Sequence, residues 1–381
     1  MLPIHIVGSG LTGATMARLL ADQGLPVKVF ERREHVGGNV HDFMHESGIR
    51  VHTYGPHYFR TSSPLIWDFV QRFGHFYRHE AVVKSWVDGQ FENWPVSGEY
   101  LRRKGLRPMS NQKSKELNIP GDTFEAAALR MMPEAVYEKF VKPYTHKQWG
   151  IPPDRLDDAL AKRFEVHHDD DPRLTPRHRW QGLPEDGYAA WMLKMLEGIE
   201  VHLGVDYLEQ ADALGKASFA VFTGPIDAYF GFDLGRLQYR GQQRAHEFLP
   251  KTTWYQPCGQ VNNPSLDAGK YIRTLEWKHL MPTAAQQQIQ GTVITRETPF
   301  SPQDIHHYEY PFPDSYNRKL FKQYQKRAQQ IPNLLICGRL GEYCYYDMDQ
   351  AIGRAMVLVK QHILPVLTGN TEPQLINLSY F

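Results

Sequence analysis

At 381 residues the chain exceeds the roughly 250–300 over which one hydrophobic core stays compact, so two or three subdomains are expected. Lys and Arg number 43 against 42 Asp and Glu, and a net charge of +1 leaves no global field to recruit nucleic acid or an anionic membrane. Three cysteines exclude a disulfide framework and a zinc site, no run approaches the ~20 apolar residues of a membrane span, and the expected address is the cytoplasm with no metal.

"IHIVGSGLTGATMARLLADQGLPVKVFERR" predicts a buried strand at 4–7, a glycine turn, a helix over 11–23 and a second strand at 27–30 closed by Glu31, which is a βαβ unit. "VHTYGPHYFRTS" then gathers two histidines, two tyrosines, a phenylalanine and an arginine around one Gly-Pro. A short amphipathic helix is expected over 65–73, followed by a hairpin in "AVVKSWVDGQFENWPV" turning on Asp88-Gly89. Residues 110–163 read as mainly helical, with Asp122 as a cap and "GDTFEAAALRMMPEAVYEKFVKPY" carrying apolar positions at helical spacing. "FEVHHDDDPRLTPRHRW" is polar and broken by proline, so it reads as a mobile loop. Strands follow at 219–225, 271–277 and 292–298, and the chain closes on a strand, a turn and a long helix.

Gly8, Gly10 and Gly13 form GxGxxG between strand and helix, with Glu31 at the end of the next strand. Gly8 makes the tight turn, Gly10 admits a pyrophosphate to the backbone amides, Gly13 lets helix pack on strand, and Glu31 accepts from ribose hydroxyls. Arg32 or Arg33 followed by Gly37-Gly38 extends the fingerprint in the manner of flavoproteins and favours FAD over NAD. The closing "CGRLGEYCYYDMDQAI" presents Arg339 and helix N-terminal amides to the ribityl and phosphate end.

"GSGLTGA", "ERREHVGGN", "YGPHYFRT", "PYTHKQWG", "FTGPIDAYF", "YIRTLEWKH" and "GRLGEYCYYDMDQ", in this order, resemble the bacterial UDP-galactopyranose mutases along nearly the whole chain. The resemblance implies an α/β fold: a Rossmann-like FAD-binding domain with an inserted helical domain and a small antiparallel β-sheet domain. It divides the chain into FAD-binding parts at 1–80, 181–235 and 316–381, sheet parts at 81–100 and 236–315, and a helical substrate-nucleotide domain with a mobile loop at 101–180. FAD, active when reduced, would be held by Gly8, Gly10, Thr12, Gly13, Glu31, Arg32, Gly38, Asn39, His57, Arg339, Asp347 and Met348.

By the same resemblance His57 and Arg60 lie against the flavin and face the sugar, Phe140 and Tyr144 sandwich the uracil, and Trp149 stands beside the sugar. Arg163 and Arg273 hold the diphosphate, Tyr310 and Tyr345 bond its oxygens, Asp347 is a carboxylate near the site, and Arg240 joins the substrate-binding set. The implied reaction is isomerisation of a UDP-galactopyranose to its furanose through a reduced-flavin N5–C1 adduct, without net redox, supplying cell-surface polysaccharide synthesis. NAD(P)H or another reductant would reduce the flavin, and a homodimer is compatible.

Two departures bear on substrate. The family usually carries a second histidine where Arg60 stands, and a permanently charged donor there suits an acetamido oxygen, so UDP-GalNAc or a dTDP-hexose is an alternative. The loop after Arg163 lacks the family's aromatic, and Arg173 or Arg177 is expected to take its place as an anion contact. Arg273, alone in an apolar run, calls for an anionic partner. The competing classes are an amine-oxidase-like flavoprotein, which shares the glycine pattern but not "KQWG" or the tyrosine–arginine set, and a non-catalytic nucleotide-sugar binder.

Overall fold

The computed structural model describes residues 2–107, 121–163 and 169–369, with the backbone alone at 162 and 163. A five-stranded parallel sheet runs Glu200–His202, Val27–Phe30, Ile4–Val7, Phe219–Phe222, Leu334–Ile336. Its central strand buries Ile4 and Ile6 completely, as a strand covered on both faces must. The helix Leu11–Ala21 sends Ala14, Met16, Ala17 and Leu20 into this core. It can approach so closely because Gly13 has no side chain: a Cβ there would stand 2.0 Å from the Gly8 carbonyl oxygen.

A second sheet of seven strands runs Tyr310–Pro311, Tyr239–Leu249, Thr292–Phe300, Arg273–Glu276, Gln260–Asn262, Val83–Val87, Gln90–Trp94. All its pairings are antiparallel except that of Gln260–Asn262 with Val83–Val87, where the expected hairpin joins chain from much later in the sequence. A three-stranded sheet of Phe59–Thr61, Trp180–Pro184 and Phe76–Arg78 anchors the end of the aromatic loop.

The expected helical segment is broken into pieces. Phe124–Met131 is capped by Thr123, whose hydroxyl accepts from the Ala126 amide at 3.3 Å, rather than by Asp122. Met132 turns extended ahead of Pro133, which cannot continue the helix. A turn with i→i+5 bonding then spans Tyr137–Val141 before Lys142–Trp149 ends at Gly150, which has φ 74°. Positions 110–120 of this expectation lie outside the described residues. Of the proline-rich loop, the described part is pinned: the Leu174 amide donates to Ala81 at 2.8 Å and the Gly98 amide to Asp169 at 2.7 Å. Among the described residues no helix is long and apolar enough to cross a membrane.

Candidate active site

A cavity of about 200 Å³ opens at the C-terminal edge of the parallel sheet, where such sheets bind ligands. All twelve residues expected to hold the dinucleotide line it: Gly8, Gly10, Thr12, Gly13, Glu31, Arg32, Gly38, Asn39, His57, Arg339, Asp347 and Met348. Its build suits a dinucleotide. Gly10 caps the helix Leu11–Ala21 without any side-chain bond, leaving the first amides to a phosphate. A Cβ on Gly38 would press to 2.9 Å from the Gly10 α-carbon, so both glycines keep the cradle open. Glu31 is buried, with Oε2 accepting from the Ser9 amide and hydroxyl, each at 2.8 Å, which aims a fixed carboxylate at the wall.

Arg33 donates to the Asn39 side chain at 3.1 Å and so ties the second glycine turn, while Arg32 donates to the Ile305 carbonyl at 2.8 Å on the opposite wall. At the far C-terminal helix the expectation is only partly met. The Asp347 amide is taken by Gln350 at 2.9 Å and the Gln350 amide by Asp349 at 2.8 Å, which uses two amides within the turn. The segment 205–208 also lines the cavity and was missed in the sequence; its signal is Asp206, which caps Tyr207–Gln210 just after the third parallel strand.

A cleft of about 890 Å³ adjoins, lined by His57, Arg60, Trp149, Arg273, Tyr310, Tyr345 and Asp347 of the expected set. His57, Arg339, Asp347 and Met348 line both spaces. The Tyr310 and Tyr345 rings stack with centroids 6.2 Å apart, and the Arg339 guanidinium lies 4.7 Å from the Tyr345 centroid. Burial pushes the Tyr310 phenol up to about 12, so it stays a hydrogen-bond donor at any ordinary pH. Burial, and next the Arg339 charge, lower the His57 imidazole to about 3; one ring nitrogen meets the Gly55 carbonyl at 2.8 Å. Trp149 packs edge-on to Phe312 at 5.7 Å.

Arg60 donates to Asp347 at 2.8 Å, which joins two of the expected residues to each other. Arg273 has its anion within the protein: it donates to Glu297, fully buried, which also accepts from Arg244 at 2.8 Å. The sequence called for a partner; the partner is a carboxylate on the neighbouring strand.

Three expected substrate residues do not line the cleft. Phe140 is 3% exposed, stacked on Trp94 at 6.3 Å and edge-on to Tyr100 at 5.1 Å. The i→i+5 turn at Tyr137–Val141 interrupts the regular four-residue spacing at Phe140, and Tyr144 is half-buried, near enough to Arg273 of the cleft to interact with its charge. Arg240 is turned to backbone, donating to Gln148 and Lys147 carbonyls at 2.7 and 3.4 Å and to the Ser301 hydroxyl at 2.6 Å. Arg173 is held by Asp171 and by Glu80, the latter at 2.8 Å, so it is not a spare cation, and Arg177 is exposed outside the lining. The Arg163 side chain lies outside the described residues.

A family model described as UDP-galactopyranose mutase matches residues 139–345, and one described as an NAD(P)-binding Rossmann-like domain matches residues 6–73. A relative from Klebsiella pneumoniae named probable UDP-galactopyranose mutase is 31% identical, covering 97% of each chain. The dTDP-fucopyranose mutase of Escherichia coli is also 31% identical, over 95% of this chain and 99% of its own. A crystal structure of reduced UDP-galactopyranose mutase superposes with a TM-score of 0.74 at 16% identity over 98% of this chain and 97% of that one. A putative protoporphyrinogen oxidase from Exiguobacterium has a TM-score of 0.63 at 11% identity over 95% and 99%, so the oxidase reading retains only a likeness of fold. Matched by that family model over more than half its length, and by relatives over nearly all of it, the chain belongs to the UDP-galactopyranose mutase family and is a sugar-nucleotide mutase with a flavin-type dinucleotide site.

Proposed function

We propose that the protein holds FAD in the smaller cavity and converts a UDP-galactopyranose-type nucleotide to its furanose form in the cleft, for use in cell-surface polysaccharide. The observation that carries this is the shared wall: His57, Arg339, Asp347 and Met348 belong to both spaces, so a dinucleotide in one and a sugar in the other would meet there. When bound and reduced, the flavin supplies the nucleophile for the anomeric carbon while UDP departs, with no net redox. Reducing equivalents would come from NAD(P)H or another cytoplasmic donor.

The chain's own residues bind, orient and compensate charge. Arg273, fixed by Glu297, stabilises the departing diphosphate, with Arg163 as the second cation. Tyr310 and Tyr345 offer phenolic O–H groups to phosphate oxygens, and Trp149 closes the sugar end. His57 stays neutral and so packs the flavin wall without opposing a cationic transition state.

A second reading concerns the sugar. Arg60 pairs with Asp347 while its buried Nε has no partner among the described residues. A guanidinium so placed suits a 2-acetamido oxygen, which makes UDP-GalNAc the alternative substrate and a dTDP-hexose the third candidate.

The test is to reduce the purified holoprotein without oxygen and follow UDP-galactose, UDP-GalNAc and dTDP-sugars by chromatography. Isomerisation only in the reduced state is expected. Product formed together with oxygen consumption would overturn the reading in favour of an oxidase, and binding without turnover would leave a nucleotide-sugar binder.

A further inference from the structure

The helix Lys142–Trp149 carries Trp149 to the cleft, and its C-terminal end is fastened to the seven-stranded sheet from both sides. A helix leaves its last carbonyls without intrahelical donors. Here Arg240, from the strand Tyr239–Leu249, supplies them: Nε donates to Gln148 at 2.7 Å and Nη2 to Lys147 at 3.4 Å. Gly150, with φ 74°, ends the helix beside that guanidinium, and the cation suits the negative end of the helix dipole. In the opposite direction Lys147 donates to the carbonyls of Asn263 and Tyr271 at 3.0 and 3.2 Å, on the connection into the strand that carries Arg273. Gln242 adds a bond to the Gln148 side chain at 2.9 Å.

We propose that Lys147 and Arg240 are positioning residues, a two-way latch that fixes Trp149 relative to Arg273 and thereby sets the affinity of the cleft for its nucleotide sugar. The proposal rests on the reading of the cleft as the sugar-nucleotide site. Neither side chain touches the cleft; both act through the helix end. Each bond joins a charged donor to a part-buried carbonyl, the stronger class of hydrogen bond, so the loss of either frees the helix end rather than removing a ligand contact.

The test compares wild type with Arg240→Met, Arg240→Lys and Lys147→Met as holoenzymes. Titration with UDP, read by tryptophan fluorescence, and steady-state kinetics are expected to give Kd and KM about tenfold higher in Arg240→Met with kcat within about threefold. Arg240→Lys should recover most of the loss, and Lys147→Met should move the same constants in the same direction. Hydrogen exchange without nucleotide should speed up over 142–151 in Arg240→Met and Lys147→Met and not across the parallel sheet. Wild-type exchange at 142–151, or unchanged KM in Lys147→Met with kcat lowered, would overturn the latch. If Arg240→Met does not fold, Lys147→Met decides. A wild-type protein that binds no UDP would sink the reading of the cleft, and the exchange data would still judge the latch.

Discussion

Arg273 and Glu297 face each other directly across antiparallel strands, and the guanidinium donates into a carboxylate that no solvent reaches. Desolvation alone would raise the Glu297 carboxyl, but the Arg273 and Arg244 charges outweigh it and hold it below the usual range. Gly55 is required beside it, since a Cβ there would lie 2.7 Å from Glu297 Oε1. Glu297→Gln removes one buried negative charge from two guanidiniums, and breaking a buried pair on one side costs about 3–5 kcal/mol. Denaturant melts should show that loss, and kcat should fall at least about tenfold because Arg273 is no longer aimed. The lowered carboxyl stabilises the fold above the ordinary glutamate range and ceases to do so as pH falls through its folded value. Acid unfolding should therefore be less steep in Glu297→Gln than in wild type.

Asp347 holds Arg60 at 2.8 Å while capping the helix Met348–Leu358. Asparagine caps as well as aspartate, so Asp347→Asn should cost less than about 1 kcal/mol in stability while removing the charge that fixes Arg60. The expected outcome is a selective loss, with turnover falling more for the sugar whose substituent Arg60 contacts. Competition between UDP-galactose and UDP-GalNAc measures it. An equal fall for both sugars would assign Asp347 to the cofactor side alone.

What could be read in the sequence depended on how local the cause was. The glycine turn was legible because Gly8, Gly10 and Gly13 lie within six positions at a strand-to-helix turn, although the Thr223 side chain that a Cβ on Gly8 would meet at 2.1 Å comes from much later in the chain. The helix break at Met132 was written in Pro133, yet the apolar spacing across it looked continuous. Phe140 lies directly behind the cleft wall, stacked on Trp94, which lines it, and the i→i+5 turn that sets it there leaves no distinct spacing signal. The partner of Arg273 was illegible for another reason: cross-strand register between 273–276 and 292–300 is set by the sheet, and nothing near Arg273 in the sequence names Glu297. Arg240, placed by the resemblance in the substrate-binding set, was illegible as a cap for the same reason, since the helix end it bonds lies far from it in sequence.

Gly13→Ala should empty the dinucleotide cavity. The new methyl would meet the Gly8 carbonyl oxygen at 2.0 Å, and backbone cannot yield as a flexible side chain would. The helix Leu11–Ala21 must then back away from the turn, taking its free amides off the phosphate position. Stability should fall by about 1–3 kcal/mol, as for overpacking elsewhere. The flavin content of the purified protein, read from its visible absorbance against protein, should drop well below that of wild type. Full flavin content in a folded variant would contradict the cradle assigned to Gly8, Gly10 and Gly13.

The neighbouring imidazoles of His52 and His57 make the cleft wall sensitive to acid well above the carboxylate range. Burial lowers each to about 3, against an ordinary value near 6.5, and the His57 amide donates to His52 Nδ1 at 3.1 Å, a bond that needs a lone pair there and hence a neutral ring. In the unfolded chain both rings take a proton as pH drops through about 6.5, while in the folded chain they wait until about 3. Their contribution to stability is complete above 6.5 and is lost progressively on the way down, at up to ~1.4 kcal/mol per pH unit for each ring. Chemical denaturation between pH 7 and pH 5 should therefore show falling stability, and His52→Gln, which keeps an acceptor but cannot charge, should flatten that slope by one ring's share, with His57 and the part-buried His41 and His79, the latter two held to about 4, supplying the rest. A stability independent of pH over this interval would mean that the two rings are solvated, and the neutral His57 assigned to the flavin wall would go with them.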